Sequence, residues 1–206
     1  MTGLGIWGAA LFLYGAFRLW YDGRRRPLSA AEIDGFMARI ERSAPGQHSD
    51  PAILRAFLEK DDGREFLMLN LVRLHPQPVA DPYGGEPAPA AAMLKRYTDA
   101  FVPALMRRGG HPALVAVPAG GYVDAWQAPP DPGWTLVGVM RYRSRRDMME
   151  LATDPRFLAK HPFKVAALSA TYSFPTAPGV MLVAGPRVWV ALVLALGAAL
   201  LQLATA

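Results

Sequence analysis

The sequence predicts a mixed α+β domain, with a four-stranded antiparallel sheet that has helices on one face, between two apolar terminal segments. Three observations support this prediction. Four short apolar runs have the composition of strands, segments with apolar residues at helical spacing separate them, and the chain begins and ends with uncharged stretches of membrane-spanning length. The 206 residues provide for one domain of ordinary size plus these two ends.

The first apolar segment, residues 1–21, is predicted to be a transmembrane helix. Residues 1–17 carry no charge, and the Arg18 side chain can extend to the membrane interface, where Trp20 and Tyr21 also belong. A cleaved signal peptide is the main alternative. It is disfavoured because no Lys or Arg precedes the apolar run, whereas arginines follow it.

The last segment, residues 188–206, is predicted to be a second transmembrane helix. Its 19 residues are uncharged and would extend about 28 Å as a helix, close to the thickness of a hydrocarbon core. The alternatives are a buried core helix and a tail signal that is exchanged for a lipid anchor. Arg187 and Trp189 at its start suit a membrane interface.

The excess positive charge lies beside these two segments. Five arginines flank them on their inner sides: Arg18, Arg24, Arg25, Arg26 and Arg187. Residues 27–186 are nearly neutral, with 17 basic and 16 acidic side chains. Because positive charge favours the cytoplasmic side, we expect a bacterial-type inner-membrane protein with both termini outside and the domain in the cytoplasm. Membrane lipid is therefore an expected partner, and nucleic acid is not.

Residues 22–49 are predicted to form a basic juxtamembrane segment followed by an amphipathic helix over 30–42. Ser29 and Glu32 have the spacing of a capping box, and apolar residues then recur at helical spacing. A second short helix begins at Asp50-Pro51 and ends at the turn sequence DDG.

The domain itself is assigned to residues 50–177, and residues 178–187 are assigned as a linker. Four runs have strand composition: 65–74, 111–118, 134–142 and 169–177. A helix that ends at Gly109-Gly110 connects the first two runs, and helices that begin at Ser144 and at Asp154 connect the last two.

Strand, helix and strand, repeated twice, is the split βαβ order of ferredoxin-like folds. Such a sheet has helices on one face only, so its other face needs a cover. A second copy of the chain is the usual cover. The element order therefore predicts a homodimer that forms through the sheet.

Four segments resemble a family of uncharacterised dimeric α/β-barrel domains in the ferredoxin-like superfamily: DDGREFLMLNLVRL, YTDAFVPALMRRGG, VGVMRYRSRRDMMELATDPRF and HPFKVAAL. That superfamily also contains small monooxygenases, muconolactone-type isomerases and haem-binding peroxidase-like proteins. The resemblance covers about residues 50–177 and implies the fold and a dimer, but no particular reaction. The chain departs from the family at Arg143, where proline is usual, and at residues 161–164, where His-Pro-Phe-Lys replaces His-Arg.

Asn70 is the polar residue inside the apolar run 65–74. A buried amide without a partner would cost about 2–7 kcal/mol, so something must hydrogen-bond it. Period-two alternation places Asn70 on the same face of the strand as Phe66, Met68 and Val72. Its polarity assigns it to the open face of the sheet, as a ligand-binding or catalytic residue. The alternative is an amide that satisfies the backbone of its own sheet.

His161 is the candidate for proton transfer, because imidazole titrates near neutral pH. Tyr97, Arg141 and Tyr172 are candidate ligand contacts; the alternatives are aromatic core residues and a solvated or salt-bridged arginine. No metal site is predicted, since the four histidines lack ligand spacing and the chain has no cysteine. No cofactor is predicted either, and the alternative is a haem with His161 or His111 as its axial ligand.

Two functions of different classes follow. The first is a membrane-anchored domain that binds a small apolar or aromatic molecule, with a cofactor-free oxygenase- or isomerase-like reaction as its catalytic form. The sequence leaves undecided whether the protein is an enzyme. The second is a non-catalytic accessory or assembly subunit of a larger membrane protein complex, which the small residues of the second apolar segment suit.

Overall fold

The computed structural model describes residues 3–23, 25–43, 50–179 and 184–205. The chain divides into two compact units, an α+β domain over Arg26–Ala177 and a helical hairpin formed by the two ends. In the described ranges the helices are α1 (Gly3–Asp22), α2 (Ala30–Ser43), α3 (Pro51–Glu59), α4 (Ala90–Arg107), α5 (Arg145–Ala152), α6 (Pro155–Leu158), α7 (His161–Ala167) and α8 (Pro186–Thr205).

The domain contains a four-stranded antiparallel sheet, which confirms the predicted α+β class. Its strands are β1 (Phe66–Leu74), β2 (His111–Ala116), β3 (Leu136–Tyr142) and β4 (Leu168–Thr176). They lie in the order β2-β3-β1-β4, and each neighbouring pair is antiparallel. The two central strands are therefore β3 and β1, and both β2 and β4 are edge strands.

The helices pack on one face of this sheet. Phe66 and Met68 of β1 and Met140 and Tyr142 of β3 join the main hydrophobic core, together with Tyr97 and other buried residues of α4. The rings of Phe66 and Tyr142 are stacked, with their centroids 5.1 Å apart. A buried aromatic pair of this kind stabilises a fold by about 0.5–1.5 kcal/mol beyond the area that it buries. The even-numbered residues of both strands therefore face the helices.

The odd-numbered residues of β1 and β3 point to the opposite face, which we call the open face. One row of apolar residues crosses all four strands there: Leu114, Val139, Leu69 and Phe174. The next row is Ala116, Val137, Leu71 and Tyr172. Leu114 is 52% exposed and Phe174 is 46% exposed, so this face leaves apolar surface in contact with solvent in the single chain.

The capping box predicted at the start of α2 is present. The Ser29 amide donates to Glu32 Oε2 at 2.9 Å, and the Glu32 amide donates to Ser29 Oγ at 3.3 Å. Glu32 also pairs with Arg146 of α5, and this guanidinium holds the pKa of the Glu32 carboxyl well below its usual range. The same carboxylate therefore caps α2 and binds it to α5. A second core forms there from Ile33, Phe36, Leu58 and Met149.

A buried ion pair lies at the start of α5. Asp147 accepts hydrogen bonds from Arg143 Nη2 at 2.6 Å, from Arg143 Nε at 2.8 Å and from Ser144 Oγ at 2.6 Å. The side chains of Arg143 and Asp147 are 3% and 1% exposed. Arg143 thus forms an ion pair that fixes the turn before α5.

The hairpin unit consists of α1 and α8 packed antiparallel. Trp7 Nε1 near the start of α1 donates to Gln202 Oε1 near the end of α8, at 2.7 Å. The Tyr14 hydroxyl donates to the Arg187 carbonyl oxygen at 3.1 Å, and the Arg187 guanidinium pairs with Asp22 at 2.7 Å. These contacts fix the register of the two helices along their whole length.

Most large apolar side chains of the hairpin are exposed, among them Leu4 at 90%, Phe12 at 75% and Leu203 at 76%. Among the described helices, only α8 is long and apolar enough, by length and composition, to cross a membrane. α1 is equally long, at 20 residues, but ends in a polar stretch that contains Arg18 and Asp22. The predicted span over residues 1–21 is therefore not supported by this measure.

Candidate ligand-binding cleft

A cleft of about 410 Å³ lies between α7 and the edge strand β4. This volume falls in the range of about 300–1,000 Å³ that is typical of small-molecule sites. The cleft is lined by Pro132, Trp134, His161, Lys164, Val165, Leu168, Ser169, Ala170, Thr171 and Tyr172.

One wall of the cleft comes from α7. His161 is the first residue of this helix, with Pro162 behind it in the first turn, where proline is favoured. A spacing of three residues places His161 and Lys164 on the same side of the helix. Both side chains contact Tyr97 of α4. The ring centroids of Tyr97 and His161 are 6.2 Å apart in an edge-to-face arrangement, and Lys164 Nζ lies 5.7 Å from the Tyr97 ring centroid.

Tyr97 supports this wall from behind and belongs to the core. It is 9% exposed and stacks on Phe101, with ring centroids 5.5 Å apart. Burial raises the pKa of the Tyr97 hydroxyl above its ordinary value, so this group stays protonated at neutral pH. Tyr97 therefore contributes a neutral aromatic surface that positions the imidazole and the ammonium.

Lys164 is the charged group of the cleft. No carboxylate lies within ion-pairing distance of it among the described residues, and none of the ten lining residues is Asp or Glu. Burial lowers the pKa of the Lys164 ammonium below its ordinary value. The contact with Tyr97 compensates only part of the lost hydration, because cation–π contacts contribute about 0.5–2 kcal/mol.

Trp134 and Tyr172 form an aromatic wall of the cleft. The ring centroids of Trp134 and Tyr172 are 5.5 Å apart, and Trp134 Nε1 donates to the Tyr122 hydroxyl at 2.9 Å. Ser169 and Thr171 also line the cleft, but their hydroxyls already donate to carbonyl oxygens of β1 at 3.1 Å and 3.0 Å. Apart from the Tyr172 hydroxyl, the polar side chains left to face a ligand are therefore those of α7.

The loop before β3 holds Trp134 in this position. Asp131 accepts hydrogen bonds from the Tyr122 amide at 3.1 Å and from the Gly133 amide at 2.8 Å. These bonds close the loop on itself. Trp134 also lines a second cavity of about 480 Å³, which lies between this loop and Leu71 of the open face.

Asn70 lies on the helix-side face, with Phe66 and Met68, and not on the open face to which its polarity assigned it. Asn70 Nδ2 donates to the carbonyl oxygens of Met68 at 3.0 Å and of Gly138 at 3.2 Å, and Oδ1 accepts from Ser173 Oγ at 2.8 Å. All three partners belong to the sheet. These contacts favour the alternative of an amide that satisfies its own sheet, and a ligand-binding or catalytic role for Asn70 stays a prediction.

Arg141 also lies away from the cleft, near the other end of the strands. It is 4% exposed and pairs with Glu65 at 2.6 Å, which corresponds to the salt-bridged alternative. Of the two histidines in the haem alternative, His161 lines the cleft. His111 does not, because it pairs in register with Arg141 at the far end of the strands. Within the described ranges, no three His, Asp or Glu side chains are grouped to hold a metal ion.

The structure thus brings His161 and Tyr172 to one cleft and places Tyr97 behind it. Lys164 and Trp134 were not predicted as lining residues. The three-residue spacing of His161 and Lys164, on either side of the proline in the first turn of the helix, was a usable signal for Lys164. Trp134 had no local signal, because the closed loop before β3 brings it to β4.

Comparison with known proteins shows a likeness of fold only. No family model matches the chain, and no curated protein matches it significantly. Two crystal structures of the RPA0582 protein, a protein of unknown function from Rhodopseudomonas palustris, are similar to it. The structure of the methylated protein is 21% identical over 66% of this chain and 96% of that chain, with a TM-score of 0.56. The other is 23% identical over 65% and 96%, with a TM-score of 0.53.

Proposed function

We propose that the α+β domain binds a small aromatic or apolar molecule in the cleft between α7 and β4. One observation carries this proposal: a cavity of about 410 Å³ is lined by two polar side chains of α7 and by two aromatic side chains that contact each other, with their rings tilted by 58°. Predominantly apolar walls with a few placed polar groups are the usual composition of small-molecule sites.

In the catalytic form of this proposal, His161 transfers the proton. Imidazole is the side chain that most often serves as a general acid or base in enzymes. A cofactor-free oxygenase- or isomerase-like reaction needs a base that removes a proton from the substrate. His161 lines the cleft and packs against Tyr97, so its ring is held in place before a substrate enters.

A neutral aromatic probe tests the cleft. We expect full-length protein in detergent micelles to bind 1-naphthamide, measured by equilibrium dialysis against empty micelles. Val165→Trp should weaken this binding at least about tenfold, because Val165 lines the cleft and an indole would occupy much of its volume. Val115→Trp is the matched control. Val115 is 59% exposed on β2, outside the cleft, so binding should not change.

Equal binding by the wild type and the Val165→Trp variant would contradict the proposed cleft. If the wild type binds no probe and a second membrane protein co-purifies with it in fixed stoichiometry, the accessory-subunit function is favoured instead.

We also propose that the domain is a member of the dimeric α/β-barrel family and that two copies pair through their open faces. The observed strand order is that of the ferredoxin-like fold. Two apolar rows cross the open face, and Leu114, Phe174 and Tyr172 are exposed there in the single chain. Pairing with a second copy would remove this apolar surface from water.

We propose further that both α1 and α8 cross a bacterial-type inner membrane, with both termini outside and the domain in the cytoplasm. Each of the two helices has 20 residues, and apolar side chains predominate in both. Asp22 pairs with Arg18 and Arg187 at one end of the hairpin, so the ionised groups gather where one membrane interface would lie.

Fusions at the C-terminus test this topology. Alkaline phosphatase, which folds only outside the cytoplasm, is expected to be active when fused after residue 206, and a green fluorescent protein fusion at the same place is expected to be dark. The opposite pair of results would overturn the proposed orientation.

A further inference from the structure

We infer that the cleft selects an anionic aromatic molecule, one whose ring carries a carboxylate or an ionised phenol. This inference rests on the proposed function, since it names the class of ligand for the same cleft. It follows from the charge of the cleft, from the groups that face Lys164 and from the placement of the aromatic wall.

The first step is the charge balance. Lys164 brings a positive charge into a cleft whose ten lining residues include no acid. An ammonium that has lost water without gaining a counter-ion costs free energy, and an incoming anion would supply the missing partner. A neutral ligand would leave the ammonium without a counter-ion.

The second step concerns the titratable groups around Lys164. His161 faces it from α7 itself, Tyr97 from α4 and Tyr172 from β4. None of these three groups is a carboxylate, so none of them supplies a counter-charge to the lysine. Lys160, on the same segment, is exposed and lies over the Phe163 ring, outside the cleft.

The third step is geometric. Trp134 and Tyr172 line the same cleft as Lys164, with their ring centroids 5.5 Å apart. A planar ring that packs against this aromatic pair can direct a substituent toward the Lys164 ammonium. Stacking then binds the ring, and a charge-assisted hydrogen bond binds the acid group.

Two probes that differ by one charge test this inference. Full-length protein in micelles is expected to bind 1-naphthoate at least about tenfold more tightly than 1-naphthamide, measured by the same dialysis. Lys164→Gln should remove this preference. Lys164→Arg should retain the preference, and Lys160→Gln should not affect it.

The preference for 1-naphthoate over 1-naphthamide should also decrease as the pH rises. Naphthoate stays ionised above neutral pH, whereas Lys164 loses its proton as pH rises through its lowered pKa. As the pH rises, the preference should therefore begin to fall before the pH reaches about 10.4, where an ordinary lysine titrates. The Lys164→Gln variant should show no such loss.

The outcomes separate the two proposals. If the wild type binds both probes equally, or if Lys164→Gln keeps the preference, the anionic class is wrong and the cleft remains. If neither probe binds, the cleft itself fails and the anionic class fails with it. A thermal unfolding midpoint of each variant identifies any loss of binding that is caused by loss of folding.

Discussion

Replacing Asp147 with Ala is expected to destabilise the domain by about 3–5 kcal/mol, because the Arg143 guanidinium would remain buried without its counter-charge. Asp147 is 1% exposed and accepts two hydrogen bonds from Arg143 and one from the Ser144 hydroxyl. Water cannot easily replace these bonds, because both side chains of the pair are almost fully buried. Urea unfolding of the full-length protein in micelles, followed by circular dichroism, would measure the loss.

An ion pair with the same spacing provides the control. Lys95 and Asp99 of α4 are also four residues apart, at 2.7 Å, but their side chains are 71% and 60% exposed. Asp99→Ala should therefore cost no more than about 1 kcal/mol. The double replacement Arg143→Met with Asp147→Leu should recover much of the loss seen in Asp147→Ala, since it removes both buried charges. Equal costs for Asp147→Ala and Asp99→Ala would show that burial does not control the strength of this pair.

The parts of the fold that were predictable from the sequence are those formed by residues close to one another along the chain. The capping box of Ser29 and Glu32 forms within three positions, and the hydrogen bond between the Asp147 amide and Ser144 Oγ has the same spacing. Strand alternation depends on even shorter spacing. It correctly grouped Asn70 with Phe66 and Met68 on one face of β1.

Which of those two faces the helices cover is a different question. It depends on where α4 and α7 pack, and the sequence of β1 has no local signal for it, because both of its faces are apolar. Polarity suggested the open face for Asn70, whereas Gly138 on the neighbouring strand presents a carbonyl oxygen that satisfies the amide on the helix side. The partner of a buried polar group is often backbone from a distant segment, and composition does not identify it.

The cleft was predictable only in part, for the same reason. His161 and Tyr172 were recognisable as chemistry-bearing residues, but the contacts that assemble the cleft join β4, α7 and the loop before β3. Within the segment 161–164, Lys164 supplies the positive charge of the cleft.

Replacing Leu69 with Asp is expected to convert the proposed dimer into a monomer. Leu69 lies in the row that crosses all four strands, with Val139 on one side and Phe174 on the other, so it is central on the open face. Pairing of two open faces would bury a carboxylate without a partner in each copy. A penalty of about 2 kcal/mol per dimer would weaken the dissociation constant about 30-fold, and two buried carboxylates should exceed it.

Sedimentation equilibrium in density-matched detergent would measure this change in association. Met106→Asp is the matched control, because Met106 is an exposed residue of α4 in the helix layer, 58% exposed, and the same charge there should leave the dimer intact. The comparison also separates the sheet from the hairpin as the source of association. If Leu69→Asp stays dimeric with an unchanged dissociation constant, the copies associate elsewhere, because a closely packed sheet interface would not accept a carboxylate at its centre.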